Sequence, residues 1–153
     1  MSQDPLNALV DHLKKTDPDF DPSALKVLAG EIAAVGHDRD DPVREIMARL
    51  GDRWSALLLS VLATGDYRHA ALRRIVEVVS AEKAISQRML TLRLRGLERD
   101  GMVVRFIFPS VPPAVTYSLT PLGRDLAARL TDMIRWIKEN ETTIAKARVD
   151  FVP

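Results

Sequence analysis

The sequence predicts a mainly α-helical fold with one small β-hairpin, extra helices at the amino end and a long helix at the carboxyl end. Three patterns carry the prediction. Apolar residues recur at helical spacing through most of the chain, most stretches being opened by a capping residue or a proline and most closed by glycine. After Gly101 the period drops to two. The Pro-rich segment PSVPPA, residues 109–114, then divides that alternating stretch into two strands.

Taken in order, Leu6, Leu9, Val10 and Leu13 mark a short amphipathic helix starting near Pro5, which the segment TDPDFDP (Thr16 to Pro22) breaks. Asp21 and Pro22 supply the cap and first residue of a second helix, whose apolar face is Leu25, Leu28, Ile32 and Val35 and which Gly36 ends. HDRDD, residues 37–41, reads as a linker. Asp41 and Pro42 repeat the device for a helix with Val43, Ile46, Met47 and Leu50 on one side. Asp52 caps RWSALLLSVLAT, which is apolar almost all round and so belongs at the centre of the core. From Arg68 a further helix places Leu72, Ile75, Val76 and Val79 together, and SAEKA, residues 80–84, connects it to the next.

That next helix, within Ile85 to Met102, organises the rest. Ser86 caps it by accepting from the Met89 amide, Ile85 packs on Leu90 from just outside the cap, and Gly101 stops it. At about 100° per residue, Leu90, Leu94 and Leu97 fall on one side and Arg88, Thr91, Leu92, Arg95 and Arg99 on the other. One face requires a core and the other an anion. In the hairpin, Met102, Val104, Phe106 and Phe108 alternate with Val103, Arg105 and Ile107, and Val115, Tyr117 and Leu119 with Thr116 and Ser118. Thr120 and Pro121 start the closing helix, with Leu122, Leu126, Leu130, Met133, Ile134 and Ile137 on one face.

Composition narrows the function classes. The 153 residues suit one domain with appendages, and the 5% of aromatics leave its core to aliphatic side chains. No apolar run approaches the roughly 20 residues of a membrane span and no secretion signal is visible, so a soluble, cytoplasmic protein is expected. There is no cysteine, and the three histidines stand far apart, so neither thiol chemistry nor a metal site is expected and no cofactor is implied. No nucleophile with a base, paired carboxylates or phosphate loop marks an enzyme. No polar constellation marks an effector pocket. The net charge of +1 hides a division: residues 1–41 hold four basic against nine acidic side chains, whereas residues 68–105 hold nine basic against four acidic. A phosphate-facing module with an acidic extension fits that asymmetry.

Helices followed by a hairpin and another helix form a winged helix-turn-helix arrangement, in which a reading helix directly precedes the wing. Beyond the pattern, the residues resemble the HxlR-type winged-helix transcriptional regulators. PVREIMARLGDRWSALLLSVLATGDYRHAALRRI, ISQRMLTLRLRGLERDGMVVR and PPAVTYSLTPLG carry the likeness, which covers about Asp41 to Asn140. The Gly51 to Trp54 turn, the ISQRMLT opening, the LERDG close and the wing ending YSLTPLG are specific together, not singly. The resemblance implies a bacterial or archaeal repressor or activator that binds DNA as a homodimer through interfaces built by the terminal helices. Three features depart from the pattern. Asp41 stands where many relatives carry a sensing cysteine, which excludes that mechanism; the connection from Val76 to Ala84 is long; and Ala114 and Thr116 leave Arg105 as the wing's only basic side chain.

These expectations assign roles. Ser86, Gln87, Arg88, Thr91, Leu92 and Arg95 face the major groove of double-stranded DNA, with Gln87 suited to adenine and Arg88 or Arg95 to guanine. Gln87 can equally be a solvated first-turn residue, and Leu92 can pack on Met89 or in a dimer. Arg68, Arg73, Arg74 and Arg105 are candidates for backbone phosphates, and Arg99 for a phosphate or for pairing with Glu98 or Asp100. Trp54 and Tyr117 belong to the core, whereas Trp136 lies off the main stripe where a partner subunit can bury it. Residues 1–40 form a helical extension for dimerisation, 41–120 the DNA-binding domain, and 121–153 a closing helix and tail at the dimer interface. The alternative is an interaction module that kept the winged fold while its acidic extension masks the basic face.

Overall fold

The structure, a computed structural model, describes residues 3–17, 20–34, 41–80, 84–111 and 113–152. Val35, Gly36, residues 37–40 of the expected linker, residues 81–83 of the expected connection and Pro112 of the wing tip lie outside the described residues. The chain divides into two compact units, Met1–Met47 and Ala48–Pro153.

The first unit holds α1 (Gln3–Thr16), α2 (Ser23–Ala34) and most of α3 (Pro42–Leu50). Asp21 caps α2, accepting from the amide and hydroxyl of Ser23 at 2.9 and 2.6 Å, and those bonds hold its carboxyl below the ordinary carboxylate range. Asp41 accepts from the Val43 amide at 2.8 Å in the same way. Of the predicted apolar faces here, Val10 is buried, but Leu9, Leu28, Ile32, Val43 and Met47 are exposed. Periodicity fixes which residues share a face; it does not say that one copy of the chain covers it.

In the second unit α4 (Arg53–Leu62) is central, packing against α5 (His69–Val79), α6 (Gln87–Arg99), β3 (Ala114–Leu119) and α7 (Pro121–Glu139). Its Leu58 and Leu59 are fully buried, as an all-round apolar sequence requires. Asp52 caps it, accepting from the amides of Trp54 at 2.8 Å and Ser55 at 3.1 Å. Trp54 is half-buried and Tyr117 buried. Val79, grouped by spacing with the buried Leu72 and Val76, is exposed in the last turn of α5.

The sheet has three antiparallel strands in the order β1-β3-β2, not the two of a plain hairpin. β2 (Val103–Phe108) pairs with β3 from Val103 opposite Leu119 to Phe108 opposite Ala114. β1 (Tyr67–Arg68) adds two residues on the other side, Tyr67 opposite Tyr117 and Arg68 opposite Thr116. Arg68 must be extended to cap α5, and the free edge of β3 takes up that extended pair. At the wing root Met102 and Val103 are buried; toward the tip Phe106, Ile107, Phe108 and Val111 are exposed. The closing helix is also two helices: Asn140 ends α7 and α8 (Glu141–Asp150) follows.

The root of the wing is fastened to α7. Thr120 caps α7 by accepting from the Gly123 amide at 3.0 Å while its hydroxyl donates to the Gly101 carbonyl at 2.6 Å. Its own amide donates to the Met102 carbonyl at 3.0 Å. A Cβ at Gly123 would overlap that carbonyl, so the close approach requires glycine.

Candidate nucleic-acid interface

Helix α6 is set in place from both ends. The Ser86 hydroxyl accepts from the Met89 amide at 3.1 Å, Ile85 and Leu90 are both buried beside it, and Gly101 leaves the helix at φ +72°. Leu90, Leu94 and Leu97 are buried to 1% exposure or less, packed toward α4 and β2. Along the flank, Arg93 lies 3.4 Å from Asp52, and Arg49 pairs with Asp100 at the helix end with its guanidinium against Gly96. Burial pushes the Asp52 carboxyl up, but bonds from Ser55 and from the Trp54 and Ser55 amides, with Arg93 nearby, outweigh it and hold the group below its ordinary range.

The opposite face is open. Ser86, Gln87, Arg88, Thr91, Leu92 and Arg95, the six residues expected to face a groove, are all exposed. Arg88 makes no hydrogen bond or ion pair with any described residue, so its guanidinium points to water with its fork unused. Arg95 is held by Glu98 at 3.1 Å on its own helix, and the same carboxylate lies 3.5 Å from Arg105 of β2. Arg99 pairs with Asp100 at 3.1 Å.

The four residues expected at phosphates are less uniform. Arg68 and Arg74 are exposed, Arg73 is partly exposed and paired with Glu77 at 2.9 Å, and Arg105 is three-quarters covered with its Glu98 partner. Among the described residues no cluster of His, Asp and Glu could hold a metal ion, and no helix is long and apolar enough to cross a membrane.

One residue at this surface was missed by sequence reasoning. His69, at the start of α5, brings Nε2 to 3.0 Å from Thr91 Oγ1, with the Tyr117 ring behind it at 6.3 Å between centroids. Burial and then the Arg73 charge lower its pKa, and burial raises that of Tyr117. No spacing rule joins positions 22 residues apart. The Arg95 and Glu98 pair, three apart on one helix, was readable.

Comparison with known proteins adds to this geometry. The family model of the HxlR-like helix-turn-helix matches residues 49–145. The chain is 36% identical over 107 residues to the HTH-type transcriptional regulator YtfH of Escherichia coli strain K12, covering 70% of this chain and 80% of that protein. Among solved structures it is similar to the transcriptional regulator ytfH from Salmonella typhimurium, at 34% identity and a TM-score of 0.60 over 72% of this chain and 94% of that one. It is also similar to the redox regulator HypR in its reduced form, at 37% identity and a TM-score of 0.59 over 69% and 98% of the two chains. These relatives are named as regulators, none as an enzyme.

Proposed function

Because the chain belongs to the HxlR-like helix-turn-helix family of transcriptional regulators, we propose that it binds double-stranded DNA sequence-specifically as a homodimer with α6 in the major groove. The carrying observation is the division of α6, whose three leucines are buried while Ser86, Gln87, Arg88, Thr91, Leu92 and Arg95 stand outside. Helices of this width enter the major groove, and guanidinium, amide and hydroxyl groups match the base edges there. Arg68 and Arg74 serve contacts to the sugar-phosphate backbone, with Arg73 and Arg105 as lesser contributors because Glu77 and Glu98 hold them.

The dimer reading rests on uncovered apolar surface. On α7, Met133, Ile134, Trp136 and Ile137 are 46–62% exposed, and Leu28 and Ile32 of α2 are half exposed. A two-fold pairing through residues 121–153, with residues 1–40 contributing, would bury these faces and space two recognition helices by about 34 Å, one DNA turn. Residues 41–120 then form the reading domain, working on chromosomal DNA in the cytoplasm. With no cysteine, the chain has no thiol through which to answer oxidants. The interaction-module alternative gains no support from the relatives named above, which carry regulator names.

Selection of bound sequences from a random duplex pool, followed by binding at several salt concentrations, tests the reading. Arg88→Ala should relax preference at one base position by about 1–3 kcal/mol. Arg68→Ala should weaken all sequences alike and lower the salt slope by about one. Equal, sequence-blind losses from both variants, or no enrichment from the pool, would overturn it.

A further inference from the structure

The contact between His69 and Thr91 joins two elements at the centre of the exposed face of α6. His69 belongs to α5, is half-buried, and lines a cleft of about 510 Å³ with Arg68, Ser110 and Val115. Thr91 is exposed, so its hydroxyl has one side on the imidazole and the other free for a ligand. A hydroxyl has one hydrogen, and whichever direction His69 leaves to it fixes what Thr91 offers outward.

Resting on the reading of α6 as the helix that enters the groove, we propose that His69 is a positioning residue that sets the hydrogen-bonding polarity of Thr91, and so makes one base preference depend on pH. When the imidazolium forms, both ring nitrogens carry hydrogen and Nε2 donates to Thr91 Oγ1. The Thr91 hydrogen then turns outward and seeks an acceptor: N7 or O6 of guanine, N7 of adenine or O4 of thymine. The neutral ring with hydrogen on Nδ1 does the reverse, accepting from Thr91 and leaving its lone pairs to meet the amino group of cytosine or adenine. For that tautomer acidification disfavours cytosine at the contacted position, whereas a neutral ring with its hydrogen on Nε2 already donates to Thr91 and gives no change.

The charges around the ring decide where this occurs. Burial lowers the His69 pKa most and Arg73 on the same helix adds to it, so the free protein keeps the ring neutral to below the usual histidine range. Arg95 and Glu98 of α6 and Arg105 of β2 act on Tyr117, the ring packed beside it, and Arg68 of β1 shares its cleft. A phosphate backbone laid against these groups favours the imidazolium, so binding takes up a proton in mildly acidic solution.

The test compares duplexes carrying each base at each position of the selected site, at about pH 5.5 and about pH 7.5, on either side of a histidine titration. The wild type should show discrimination against cytosine at one position that grows roughly three- to tenfold at the lower pH, the worth of one hydrogen bond. His69→Gln, which keeps a polar partner without a titration, and Thr91→Val, which removes the hydroxyl, should each flatten that change. In the free protein, the His69 ring titration followed by NMR should move in Thr91→Val. A selected site whose preferences are the same at both pH values, or a pH-dependent preference that survives Thr91→Val, overturns the role of His69 alone. A wild-type protein that selects no sequence overturns the DNA reading with it.

Discussion

Helices α6 and α7 bury their inner faces alike and differ in what they leave outside. Leu90, Leu94 and Leu97 of α6 and Gly123, Ala127 and Leu130 of α7 are buried, each set fixing its helix to α4 or the sheet. Outward, α6 presents Arg88, Thr91 and Arg95, while the distal half of α7 presents Met133, Ile134, Trp136 and Ile137. Burial on one side makes a helix stable; the chemistry of the remaining side states which partner it can hold. Polar, forked groups suit a nucleic acid, and a patch of large apolar side chains suits a second protein surface.

The comparison can be broken first at the inner faces. Leu94→Ala should cost about 2–5 kcal/mol of unfolding free energy in a denaturant titration, because the removed atoms leave a cavity among buried neighbours. Trp136→Ala tests the outer face of α7: self-association measured by sedimentation should weaken by about 2 kcal/mol, roughly thirtyfold, with secondary structure unchanged. An unaltered dimer would move the interface elsewhere.

The caps sharpen the contrast. Ser86→Ala at α6 should cost about 1 kcal/mol, the worth of one side-chain cap. Thr120→Ala at α7 should cost more, approaching about 2 kcal/mol, since the same hydroxyl also donates to Gly101. The smallest effect is a pH dependence. Asp52 has a depressed pKa in the folded chain, so its contribution is complete above the ordinary carboxylate pKa of 3.8 and is lost as pH falls through the lower folded value. Asp52→Asn should remove that part of the acid sensitivity in thermal melts recorded from neutral to acid pH.

Much of the fold was legible because its boundaries are set by local chemistry. Asp21, Asp41, Asp52, Ser86 and Thr120 each cap the helix they were expected to cap, and Gly101 takes the left-handed turn that only glycine adopts cheaply. What lay beyond reach was set by tertiary pairing. β1 is two residues long, too short for any period, and exists because β3 offers an edge. The break at Asn140 falls inside a helical pattern with no Gly or Pro to mark it. At the candidate interface the stripe on α6 was readable from spacing alone, but the sharing of Glu98 between Arg95 and Arg105, and the meeting of His69 with Thr91, come from elements brought together only by the fold.

The wing and α7 are spliced at one point of the backbone. One carbonyl, that of Met102, accepts from the residue just before α7 and lies against Gly123 inside it. Hairpin and closing helix are thus joined at their bases through backbone atoms. Any side chain larger than hydrogen at position 123 would therefore disturb the base of the wing and the first turn of α7 in one stroke.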